Sequence, residues 1–211
     1  MDTNISGKMW RLVILLFLFS LNSFSQPPTY LKVHFLFGSK PMHEYRDTEK
    51  KWFGGILGGH VGIEADSDQV VSFFRGGELH YVSKKNNRQS RYVTHSCERF
   101  YSMFGGSRES KKRSVVYVPV TIEQKQKFDS IIGVYREQTP YDYAFIGMRC
   151  GSAAYEILAQ LDVLPEYSYR RTYWKIFYPR RLRRPLYSKA KENNWTVEKY
   201  EGSKTRKWER D

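Results

Sequence analysis

Cys150 and His60 are the residues of this 211-residue chain whose types and settings suit nucleophilic chemistry. Cys150 stands in TPYDYAFIGMRCGSAAYEIL, residues 139–158, at the entry to a run of helix formers, residues 151–160. Unpaired N–H groups and the dipole of a first helical turn favour a thiolate, and Arg149 beside it acts in the same direction. The reading therefore predicts a thiol pKa below the usual value of about 8.5. His60 opens HVGIEA, where alternation puts His60, Gly62 and Glu64 on one face of a strand and Val61 and Ile63 on the other. A thiol needs a base that holds it ionised and later protonates the leaving group, and an imidazole on a rigid strand facing a helix start does both. The plain alternatives are a packing cysteine and a structural histidine.

These two residues need a sheet and a helix to hold them. Strands are expected at 31–37, 60–65, 69–75, 78–82 and 114–119, with a loop or short helix over 41–59 that ends in the glycine-rich WFGGILGG. Polar loops are expected at 84–90 and 109–112. Thr121-Ile-Glu-Gln124 is a capping box opening a helix to about residue 138, with Phe128, Ile131, Ile132 and Tyr135 on its inner side. Residues 193–201 read as a last strand and 202–211 as a frayed tail. A small antiparallel sheet with helices packed on it makes the expected fold class α+β.

TPYDYAF followed by RCGSAAYEIL resembles the tyrosine-then-cysteine helix segment of NlpC-type cell-wall peptidases, and GHVGIE resembles their histidine strand. Those enzymes place the cysteine first. With His60 ahead of Cys150, the order is similar to the circularly permuted branch that includes lecithin retinol acyltransferase-like proteins and YiiX-like hydrolases. The resemblance covers roughly residues 31–160 and rests on two short segments. It implies a papain-like fold, Cys150 as nucleophile, His60 as general base, and Tyr141 with the Cys150 N–H as oxyanion donors. The residue that orients the histidine would fall at Ser72, which departs from the usual His, Asn or Glu and cannot stabilise an imidazolium by charge. His80 and Glu64 are the substitutes: a tight hairpin would pair His80 near Phe73, facing away from Ser72, and Glu64 lies four residues from His60, about 13 Å at strand rise. The implied substrate is a peptidoglycan stem-peptide amide, or next a lipid ester or amide.

Lys8 and Arg11 before the apolar run at 12–19, then Ser23-Phe24-Ser25, read as a signal peptide over 1–25 cut ahead of Gln26. The apolar run is short for a membrane span, which needs about 20 residues. Residues 26–211 would form one exported domain, periplasmic or secreted and monomeric. In an oxidising space a Cys97–Cys150 disulfide is the alternative to a thiol site. The formal charge is +13, and residues 167–191 contain no acidic residue while interleaving Arg with Tyr, Trp and Phe. This basic extension, about 167–211, suits an anionic envelope polymer or lipid; nucleic acid is not expected in that compartment. The five histidines show no paired zinc spacing, GGILGG lacks a phosphate-loop lysine, and GxSxG is absent, so no metal or cofactor is expected.

Overall fold

Leu31, Val33, Phe35 and Phe37 recur at every second position of TYLKVHFLF and residues 33–37 are buried on both faces, which makes β1 (Thr29–Phe37) a middle strand of a six-stranded antiparallel sheet. The computed structural model describes residues 29–52, 55–65, 68–78, 80–83, 89–172 and 176–211. The expected signal segment and most of the loop at 84–90 lie outside the described residues. The sheet runs β6-β4-β3-β1-β7-β9, with β3 Gly59–Glu64, β4 Gln69–Phe74, β6 Arg91–Ser96, β7 Arg113–Val120 and β9 Val197–Tyr200. Among the described residues four helices pack on this sheet in an α+β architecture, α1 Cys97–Ser102, α2 Ile122–Glu137, α3 Cys150–Gln160 and α4 Pro179–Glu192, and a single helical turn spans Tyr169–Thr172.

The two faces of the sheet carry different layers. Leu31, Val33, Phe35 and Phe37 of β1, with Val61 and Ile63 of β3, pack under α2, α3 and α4 through Phe128, Ile132, Ala154, Ile157, Leu182 and Leu186. Leu36 and Val70 turn the other way, onto Cys97, Phe100 and Tyr101 of α1. Gly62 permits that second layer to close: a Cβ there would stand 2.4 Å from Val70 Cγ1 and 2.9 Å from Phe100 Cε2. The capping box of α2 is present, with Gln124 N–H donating to Thr121 Oγ1 and Thr121 N–H to Gln124 Oε1.

Several expectations are corrected. β5 (His80–Val82) does not fold back on β4. It pairs in parallel with β8 (Ala144–Ile146), His80 opposite Ala144, and β6 takes its place beside β4. The basic stretch after residue 178 is helix α4, despite Pro185 inside it. The tail is not frayed: β10 (Arg206–Trp208) pairs with β2 (Ser39–Pro41), and the Arg206 guanidinium reaches Glu49 at 2.7 Å. Glu209 is buried on Arg183 at 3.1 Å, whose guanidinium also lies 3.8 Å over the Phe37 ring. Both cysteines are free, and they approach the sheet from opposite faces, so a Cys97–Cys150 disulfide does not form.

Candidate functional site

Cys150 is the first residue of α3, as its surroundings in the sequence predict. Arg149 precedes it in extended conformation, and the Arg149 N–H donates to Ser152 Oγ at 2.7 Å, which locks the turn. The register between β3 and β4 covers only Ile63↔Val71 and Glu64↔Val70, whereas β1 stays paired with β3 as far as Gly59. Cys150 fills the gap left between the strands and shares a void of about 10 Å³ with the stretch 61–63 of β3 and the stretch 71–73 of β4. The Val61 and Gly151 backbone N–H groups and the Tyr143 hydroxyl lie close enough to its sulfur to favour the ionised form, while no hydrogen bond of ordinary geometry reaches the sulfur among the described residues.

Burial is the largest influence on that thiol, which is 3 % exposed, and it pushes the pKa up. The Arg149 charge and the three donors act downward without overcoming burial. The resting thiol is therefore raised, against the lowered value expected from a helix start alone. Position at a first turn supplies donors, but depth in the core decides the sign.

His60 is 4 % exposed, and its ring is packed against Phe74, Phe100 and Phe104 at centroid distances of 4.4, 5.7 and 6.1 Å. Nε2 is buried without a hydrogen-bond partner. Burial first, then the fields of His95 and Arg149, lower its pKa to about 3, so the imidazole is neutral at pH 7. Alternation along β3 is as expected, but α3 covers the opposite face, that of Val61 and Ile63. Among the described residues no hydrogen bond joins the His60 ring to the Cys150 sulfur. The two residues meet β3 at neighbouring positions from opposite sides.

The other expected site residues are also redistributed. Ser72 Oγ is buried without a partner, so it does not orient His60. Tyr141 belongs to an aromatic cluster, its hydroxyl bonded to those of Tyr92 and, at 3.4 Å, to Glu156. Tyr143 is the tyrosine at the thiol. Its backbone N–H donates to Ser90 Oγ at 2.8 Å, Ser90 donates to Asp142 Oδ1 at 2.9 Å, and Asp142 Oδ2 holds His80 Nδ1 at 2.7 Å. His80 thus anchors the Tyr143 segment and does not stand beside His60 on β4. Tyr143→Phe is expected to slow Cys150 alkylation at pH 8 by about fivefold, the worth of one donor to the thiolate at about 1 kcal/mol, whereas Tyr141→Phe leaves the rate unchanged; thiol alkylation rates of the two variants check this.

A second buried constellation escaped the reading of the sequence. Glu64 Oε2 takes His34 Nε2 at 2.9 Å and the Cys97 thiol at 3.2 Å, Oε1 takes Lys32 Nζ at 2.5 Å, and His34 Nδ1 meets the Tyr101 hydroxyl at 2.7 Å. The donor atoms of His34, Glu64 and Cys97 lie within 4.8 Å of one another, a set whose chemistry suits a borderline-soft divalent ion. Yet each of these polar groups already has a partner, and Lys32 supplies the positive charge that the carboxylate needs. Burial and Glu64 push the Cys97 thiol up to about 12, which makes it a proton donor in this network. The alternation Lys32, His34, Leu36 against Leu31, Val33, Phe35 is the signal in the sequence that could have put His34 on the face of Glu64.

No protein-family model matches the chain, and no curated protein or solved structure matches it.

Proposed function

We propose that this chain is a thiol hydrolase or acyltransferase of the permuted papain-like kind, acting on an amide or ester carbonyl. The observation that carries this reading is the setting of Cys150: a sulfur at the first turn of a helix, with the Val61 and Gly151 backbone N–H groups, the Tyr143 hydroxyl and the Arg149 charge all acting in favour of its ionised form. All of these stabilise a thiolate once water or substrate relieves its burial. His60 would take the thiol proton, the thiolate would attack the carbonyl with the Cys150 N–H and Tyr143 receiving the oxyanion, the imidazolium would return that proton to the departing amine or alcohol, and water or another acceptor would then free the acyl group from the sulfur. Because the His60 ring rests on the far side of β3, turnover on this reading requires the unpaired stretch between β3 and β4 to open. The substrate is a cell-envelope peptide amide or lipid acyl group, met after export.

A second reading is a non-catalytic envelope module that binds an anion. The neutral, unpartnered His60 and the outward arginines of α4 favour it. The deciding measurement is alkylation of Cys150 against pH in the Cys97→Ala protein, with and without His60→Ala. The hydrolase reading expects a reaction below pH 7.5 that slows at least tenfold without His60. A slow reaction indifferent to His60 assigns the second reading.

A further inference from the structure

The four arginines of PRRLRRP do not act alike. Arg183 is buried and its charge is met by Glu209. Arg180, Arg181 and Arg184 instead face a cavity of about 690 Å³ between α3, α4 and the segment before α4. Its other walls include Tyr155, Tyr167, Phe177 and Tyr178. Tyr178 is the N-cap of α4 and makes no side-chain cap, and the first turn of α4 holds no acidic residue. Pro179 at the first helical position carries no N–H and the Arg181 N–H is taken by the Tyr178 carbonyl at 2.9 Å, so the helix end adds its dipole, rather than a row of free N–H groups, to the guanidiniums. Arg180 Nε is buried without a partner. Two carboxylates reach the cavity, Glu166 and Glu209; the second is held by Arg183, so positive charge is in excess.

The cavity adjoins the candidate nucleophile. A Cβ on Gly151 would stand 3.3 Å from Phe177 Cδ1 and from the Phe177 and Tyr178 carbonyl oxygens, so the cavity wall rests on the residue after Cys150. The Arg149 guanidinium lies 5.1 Å from the centroid of the Tyr178 ring. Three guanidiniums set among aromatic side chains in one cavity suit a carboxylate carried on a compact organic body.

We infer that this cavity binds the carboxylate of a short acidic peptide and so presents an adjoining amide to Cys150. The amide step rests on the hydrolase reading; the binding does not. Calorimetric titration of the Cys150→Ala protein with the tripeptide Ala-Glu-Ala, free at its C-terminus, tests the binding without turnover. The expected result is saturable binding that weakens with salt, falls at least tenfold for the C-amidated Ala-Gln-Ala peptide, and falls at least tenfold in Arg180→Gln/Arg184→Gln. Equal binding of the acidic and amidated peptides, no binding of either, or indifference to the arginine changes would overturn it. So would binding of phosphatidylglycerol vesicles, lost with the arginines, in a protein that ignores the peptides. Peptide binding together with an unreactive Cys150 removes the hydrolase reading alone.

Discussion

On the hydrolase proposal, Cys150→Ala is expected to lower acyl transfer at least a thousandfold, equivalent to about 4 kcal/mol of transition-state stabilisation. A covalent route needs the sulfur itself: the N–H of Val61, the Tyr143 hydroxyl and Arg149 all act on that atom, and none replaces it. Release of p-nitrophenol from an aryl ester, followed through the first turnover, reads both the acyl-enzyme burst and the steady rate. Cys97→Ala should keep the burst, because Cys97 donates to Glu64 on the other face of the sheet and is pushed up to about 12. A burst that survives in Cys150→Ala would remove this residue from the mechanism. Matching circular dichroism of the variants separates lost chemistry from lost fold.

Acid should unfold this protein well before its carboxylates are all protonated. His60 is held down to about 3, first by burial and then by His95 and Arg149, against an ordinary value of 6.5. As the pH falls below 6.5 the unfolded chain takes up a proton that the folded chain refuses, so stability drops down to about pH 3. A shift of that size corresponds to about 5 kcal/mol, within the 5–15 kcal/mol that typically holds a domain together. His34 is also lowered, mainly by burial, and adds in the same direction below 6.5. Glu64 follows at lower pH. Burial pushes it up, but the hydrogen bonds from His34, Lys32 and Cys97 outweigh that and bring it to about 2. Its stabilisation is present above about pH 4.5 and is lost as pH falls toward 2, on the order of 3 kcal/mol.

Urea midpoints measured from pH 7 to pH 4 give the slope directly. His60→Leu should flatten the portion between 6.5 and 4.5, and Glu64→Gln should lower stability at pH 7 while flattening the portion below 4.5. An unchanged slope in His60→Leu would mean that His60 is not the refused proton. A slope of opposite sign, with stability rising as pH falls toward 6.5, would mean that the folded protein binds a net proton the unfolded chain lacks, as a protonated His60 beside a neutral Cys150 thiol would. The measurement thus bears on the site as well as on the fold.

The sequence by itself determined the local features whose causes are local. Alternation in HVGIEA and TYLKVHFLF places the right residues on common faces of β3 and β1, and Thr121 with Gln124 starts α2 through hydrogen bonds spanning three residues. Cys150 begins α3 because glycine, serine and alanines follow an extended arginine. Tertiary structure alone decided which neighbour covers each face. The period-two side-chain alternation of a strand says that His60 and Val61 point apart, and only the packing of Val61 and Ile63 under α3 says which of them looks toward Cys150. The choice of Tyr143 over Tyr141, of β6 over β5 beside β4, and of Arg183 as the buried arginine has the same origin. Each depends on contacts between residues distant in the chain, and the chain's local pattern is the same for either outcome. The depth that raises the Cys150 thiol and lowers His60 is likewise a property of the assembled layers, since desolvation is set by what closes over a residue and not by what adjoins it in sequence.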